Sequence, residues 1–208
     1  MAPAHPAGCS CGDEDSHTKL EGQLTFLYPF VDKDKVVALN AQLDSVPPHV
    51  VIRPWDQRDR DEEWLESDAD EQLILRIPFT GSVKLRSILI KAGPGGFTPD
   101  KMQVFANRQL DFDEATSTEV TQSFDVAATN QVAEYVVRPA KFPSVTSLTL
   151  FFPSNHGEDT TRISFVGFRG EYTPLKRDPI ITVYEAQANP ADHAKIPGLD
   201  HTAHSRIG

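Results

Sequence analysis

From Leu73 onward the apolar residues of this chain recur at every second position, and that period constrains its fold more than any other feature. Leu73, Leu75 and Ile77 fall on one face. Val83, Leu85 and Leu89 alternate with Lys84 and Arg86, and Met102, Val104 and Ala106 follow a turn at Gly93 to Gly96. The pattern returns at Val132 to Val137, at Leu148, Leu150 and Phe152, at Ile163 to Phe168 and at Ile180 to Tyr184, with Pro or Gly between. Successive side chains of a strand point to opposite faces, so each run buries one face and solvates the other. Short strands separated by turn clusters, with no amphipathic helices between them, predict an all-β fold, an antiparallel sandwich or barrel. Its interior is expected to hold Leu75, Ile77, Phe79, Leu85, Leu148, Leu150, Ile163 and Phe165.

One short helix is predicted. Asp32 caps it, Val36, Leu39 and Leu43 share a face at helical spacing, and Pro47 and Pro48 end it. Residues 1 to 22 mix Pro, Gly, His and charge without periodicity and read as a mobile tail. A single domain is expected over 23 to 193, followed by a second mobile tail over 194 to 208.

The formal net charge of -10 argues against nucleic acid or an anionic membrane as partner, because both repel an acidic surface at long range. Cys9 and Cys11 stand too close together to staple distant parts of a fold. The start of the chain has neither the basic cluster nor the apolar run of a signal peptide, so a cytoplasmic and nuclear location is expected.

Catalytic signatures are missing from the sequence. It contains no nucleophile elbow, no zincin helix and no phosphate-binding Gly loop, since Gly93-Pro94-Gly95-Gly96 lacks the Lys and Ser/Thr that reach phosphates. No cofactor and no enzymatic activity are therefore expected. Cys9 and Cys11, near His5 and His17, form a candidate thiol or zinc site, but one intervening residue is not the usual zinc spacing.

Between Asp56 and Glu71 nine carboxylates face only Arg58 and Arg60, with Trp64 and Leu65 among them. The plain reading is a solvated loop. The sharper one is an acidic docking surface anchored by Trp64, with Glu66, Asp68 and Asp70 on one side of an extended segment as a salt-bridge platform or calcium site. In the stretch from Phe151 to Glu171, Asn155, Asp159, Thr160 and Thr161 can satisfy loop backbone groups between two strands.

Four separated segments resemble the PITH domain, the proteasome-interacting domain at the C-terminus of certain thioredoxin-like proteins. They are Glu66-Ser67-Asp68-Ala69-Asp70-Glu71, Ile77 to Leu85, Asp159-Thr160-Thr161 through Gly170-Glu171, and Tyr184-Glu185-Ala186 with Ala188 to His193. The resemblance implies a jelly-roll sandwich similar to galactose-binding-like domains, and association with the proteasome regulatory particle. The thioredoxin domain is missing, so the chain resembles stand-alone members of the family.

The expected function is thus a non-enzymatic protein-binding module, monomeric before docking. The candidate partner-binding residues are Trp64, Glu66, Asp68, Asp70, Asn155, Asp159, Arg169, Asn189 and His193. Two alternatives from other classes are a carbohydrate or small-ligand-binding sandwich, and a thiol or metal-handling protein acting through Cys9 and Cys11.

Overall fold

The period-two run that begins at Leu73 becomes one 20-residue strand, and the architecture is organised around it. In this computed structural model, which describes residues 26–42 and 46–175, the strands are β1 (Val37–Leu39), β2 (Leu65–Glu66), β3 (Leu73–Ala92) and β4 (Lys101–Ala106). Then come helix α1 (Phe112–Ser117), β5 (Gln122–Asp125), β6 (Ala133–Val136), β7 (Val145–Phe152) and β8 (Arg162–Thr173). All pairings are antiparallel.

β3 serves two layers. Its first part pairs with β1 and β7, and β7 continues through β4 to β5; its second part pairs with β6 and β8, and β8 continues to β2. The register shifts between Pro78 and Val83, so the strand turns a corner there instead of ending. One apolar cluster joins the two layers, with Leu73, Leu75, Ile77, Leu148 and Leu150 from one and Leu85, Ile88, Ile90, Ile163 and Phe168 from the other. The result is the predicted jelly-roll sandwich. All eight residues expected in its interior are buried, although Phe165 packs beneath Trp55 on the outer side of its layer.

The helix is not where the sequence analysis put it. The segment after Asp32 forms a single 3₁₀ turn over Lys33–Lys35 and then strand β1, whose residues pair with Ile74, Leu75 and Arg76. Val36 and Ala38 are buried as alternate residues of an extended chain. Leu43 lies outside the described residues, as does the expected strand at Ile180 to Tyr184. The α-helix present among the described residues is α1, which closes the outer face of the first layer over Ile74, Phe105 and Phe151.

Candidate functional site

Lys91 would be an error in a buried strand unless something reached it. It sits on the outward face of β3 in a run whose inward residues, Ile88, Ile90 and Ala92, belong to the core. Its side chain is only 10% exposed, and its ammonium meets Asp61 Oδ1 at 2.7 Å. Asp61 is itself 68% exposed, so the pair joins a strand to an outlying loop. A bulge in the β3–β8 register turns Ser164 outward beside Lys91, and the Ser164 hydroxyl donates to the Lys91 carbonyl at 3.2 Å. Just beyond, Gly93 takes φ +95°, where a Cβ would run into Thr98, so this turn needs glycine.

These groups line a cleft of 320 Å³ with Trp64, Arg162 and Asn130. Arg162 is its most connected member. Its guanidinium lies 4.0 Å from the centre of the Phe97 ring and 5.3 Å from that of Trp64. Its Nε donates to Glu66 Oε2 at 2.9 Å. Trp64 Nε1 donates to the same oxygen at 2.9 Å, and Thr160 Oγ1 to Oε1 at 2.8 Å. Burial alone would push the Glu66 carboxyl up, but hydrogen bonds from Trp64, Thr160 and Arg162 outweigh it and hold the carboxyl below the ordinary range. Trp64 remains 40% exposed, so its ring is oriented and still accessible.

The loop that carries Asp61 is stapled from within. Arg53 is buried, and its guanidinium donates to the carbonyls of Val50 at 2.7 Å, Arg60 at 2.8 Å and Glu63. Three carbonyls satisfy the charge without any carboxylate, which keeps the acidic side chains of this loop for the surface.

The structure separates the predicted carboxylate platform. Glu66 points to Arg162, whereas Asp70 Oδ1 accepts from Asn40 Nδ2 at 2.7 Å and from Gln72 N at 3.0 Å, and Asp68 is exposed. Among the described residues no group of three or more His, Cys, Asp or Glu gathers to hold a metal ion. Asn155 shapes the neighbouring loop as expected. Its Oδ1 accepts from Gly157 N at 2.9 Å and Glu158 N at 3.1 Å, and its Nδ2 donates to the carbonyls of Glu158 and Thr160, each at 2.8 Å. Asp159 is exposed at the tip of that loop.

Arg169 belongs to a different patch. It pairs with Glu134 at 3.0 Å and lies 5.4 Å from the centre of the Trp55 ring, over which Arg58 also sits at 4.3 Å. Asn189, His193, Cys9 and Cys11 lie outside the described residues. Sequence reasoning missed Asp61, Lys91, Phe97 and Arg162. Lys91 had a usable signal, a lone cation within the apolar run from Ile88 to Ala92.

Comparison with known proteins gives a consistent result. The PITH domain family model matches residues 17–188. PITH domain-containing protein P35G2.02 of Schizosaccharomyces pombe is 36% identical over 198 residues, covering 92% of this chain and 94% of that protein. PITH domain-containing protein 1 of Danio rerio is 41% identical over 170 residues, 80% of each chain.

Among solved structures, the CBM32-1 and CBM32-2 domains of Clostridium perfringens ZmpB in complex with GalNAc align with a TM-score of 0.53 at 9% identity. That alignment covers 79% of this chain and 40% of the other. A fucolectin from striped bass serum aligns with a TM-score of 0.51 at 10% identity, covering 73% of this chain and 50% of the other. At such identities the likeness is one of fold.

Proposed function

This chain belongs to the PITH domain family, and from that premise we propose that it is a non-enzymatic protein-binding module that docks on the proteasome regulatory particle. The observation that carries the reading is Trp64. It is 40% exposed, yet its indole is fixed by the hydrogen bond to Glu66 and by Arg162 beneath it. An aromatic already held in one orientation loses little freedom when a partner closes over it, which is how interface anchors gain affinity. The exposed carboxylates around it favour a basic partner surface. A cytoplasmic and nuclear location follows from such a partner, and the chain acts as a monomer before docking.

The test is direct binding of the purified chain to purified regulatory particle. Trp64→Ala should weaken association by about ten-fold or more while leaving the melting temperature nearly unchanged. No association of the parent chain at low or moderate salt would end the proteasome reading.

A second reading, sugar binding in the same cleft, is favoured by the half-exposed indole among polar groups at its mouth. A glycan array separates the two.

A further inference from the structure

We propose that a second cleft, lined by Lys33, His49 and Arg60 over the buried Arg53, receives a phosphorylated serine or threonine side chain of the partner polypeptide. This inference rests on the protein-binding reading above and adds a ligand class to it, at a cleft that does not include Trp64.

The cleft is assembled from short turns. Gln57 N donates to the Pro54 carbonyl at 3.0 Å and Arg60 N to the Gln57 carbonyl at 3.2 Å. Pro54, Gln57 and Arg60 therefore recur at every third residue, and side chains at that spacing in tight turns stand one above the next. All three line the cleft, whose volume is 390 Å³. Lys33 comes from the 3₁₀ turn before β1. Its ammonium is held by Tyr28, whose hydroxyl accepts from Nζ at 2.7 Å and whose ring centre lies 4.0 Å away. His49 comes from the turn Pro48–Val51. Arg53 joins these parts, because its Nε donates to the Val50 carbonyl at 2.7 Å and its Nη1 to that of Arg60 at 2.8 Å.

The lining carries three cations, Lys33, Arg53 and Arg60, and one carboxylate, Glu63. None of the three belongs to any of the seven ion pairs among the described residues. Their neighbours do: Lys35 is matched by Asp32 and Arg58 by Asp59. Backbone carbonyls satisfy the hydrogen bonds of Arg53 without cancelling its charge, and its burial strengthens its field in the cleft. In a chain of net charge -10 such a cluster runs against the composition. The surplus of two positive charges suits a phosphate monoester, which carries about -1.5 to -2 at neutral pH. A single carboxylate would leave one cation unmatched.

Donors are available as well. Lys33 spends one of its three ammonium hydrogens on Tyr28, whose hydroxyl accepts there and keeps its own proton to give. The exposed Arg60 brings a planar fork suited to phosphate oxygens. Val50 and Ile52 supply apolar wall for the stem of the incoming side chain, and the volume lies at the lower end of ligand pockets. The acidic surface opposes an anion only weakly from a distance, because salt screens exposed charges within about 8 Å at physiological ionic strength. Nearer by, Asp59 and Asp61 are drawn off by Arg58 and Lys91.

The experiment titrates the full chain at physiological ionic strength with capped peptides of equal length and otherwise uncharged sequence. Their central residue is phosphoserine, serine or glutamate, and inorganic phosphate is titrated separately. Imidazole proton signals are followed by NMR, with His49 reporting on the cleft and His156, exposed on the loop before β8, as internal control. The expected result is a saturable shift of His49 alone with phosphoserine and no shift with serine. Affinity should be at least about ten-fold weaker with glutamate and with inorganic phosphate.

Lys33→Gln and Arg60→Gln should each weaken the phosphoserine peptide at least about ten-fold. Lys35→Gln, which removes an exposed cation two residues from Lys33, should leave it unchanged. No saturable shift with phosphoserine, a glutamate peptide that binds as tightly, or an Arg60→Gln variant that binds like the parent chain would each overturn the proposal. So would an equal loss in Lys35→Gln, which would reduce the effect to general charge. Inorganic phosphate that binds as tightly as the peptide would assign the cleft to a free anion and remove the polypeptide ligand. If Lys33→Gln fails to fold, Arg60→Gln, on an exposed side chain, decides alone. Failure here is distinguishable from failure of the broader reading. Regulatory particle bound by a chain that gives no phosphoserine shift leaves the module standing and removes the phosphate site. A saturable, Arg60-dependent phosphoserine shift in a chain that never binds the particle does the reverse.

Discussion

Glu66 shows how one side chain ties two loops to the sandwich. Its oxygens accept from Trp64, Arg162 and Thr160, which reach it from β2's own approach, from β8 and from the loop before β8. The ionised carboxylate is the better acceptor for all three donors, which is why its pKa falls despite burial. A group whose folded pKa lies below its unfolded value adds stability above the unfolded pKa and loses it as pH drops through the folded one. The stability gap between the parent chain and Glu66→Gln should therefore be constant at neutral pH. It should shrink only below about pH 4.3, the ordinary glutamate value. Urea melts of both proteins across pH 3 to 7 measure it, and a gap that vanishes above pH 5 would contradict the assigned hydrogen bonds. Sequence alone placed Glu66 with Asp68 and Asp70, since alternation assigns a face but does not say where a strand stops. β2 ends at Glu66, and the chain turns under Asn40 before Asp70 is reached.

At the scale of elements, the sequence made long alternating strands visible and short elements ambiguous. β3 alternates buried with more exposed residues from Leu75 to Ser87, and β7 and β8 carry long apolar runs that are buried on both faces, so all three stand out against chance. Three residues of β1 do not, and Val36, Leu39 and Leu43 imitated a helical stripe; pairing with β3 overrides that local pattern. The helix that does form, α1, buries only Ala115 and leaves almost no periodicity to detect. Its legible signal was a capping box: the Asp111 carboxylate accepts from Glu114 N at 2.8 Å, and Asp111 N donates to the Glu114 carboxylate at 3.2 Å. So short a helix depends on its cap and on the patch beneath it. Asp111→Ala should cost about 0.5 to 2 kcal/mol, and Leu150→Ala, inside the sandwich, about 2 to 5 kcal/mol through the cavity it opens. Denaturant melts that rank the two variants in the opposite order would show that α1, and not the core, governs unfolding.

The whole molecule combines a rigid frame with a strongly acidic surface. Because β3 is continuous through both layers, the end of the strand that carries Lys91 is fixed relative to the core as firmly as its beginning. The cleft inherits that rigidity on its strand side and depends on Arg53 for the loop side. This division explains why the fold was readable and the site was not. The fold is written in period, whereas the site arises where loop residues Asp61 and Trp64 meet strand residues Lys91 and Arg162, a proximity no local pattern encodes. The net charge of -10 acts over a longer range than any of these contacts. Under the docking proposal, exposed carboxylates would steer a basic partner during approach, and salt screens them within about 8 Å at physiological ionic strength. In the same proposal Trp64 would act only after contact. The association rate should therefore fall several-fold between about 50 and 300 mM salt while dissociation changes little, and Trp64→Ala should show the converse, an unchanged association rate with faster dissociation. Stopped-flow or surface-based kinetics against the regulatory particle separate the two effects. Equal sensitivity of both rates to salt would mean that the acidic groups are buried in the interface instead of ringing it, and Asp61 would then be the first residue to re-examine as a central contact.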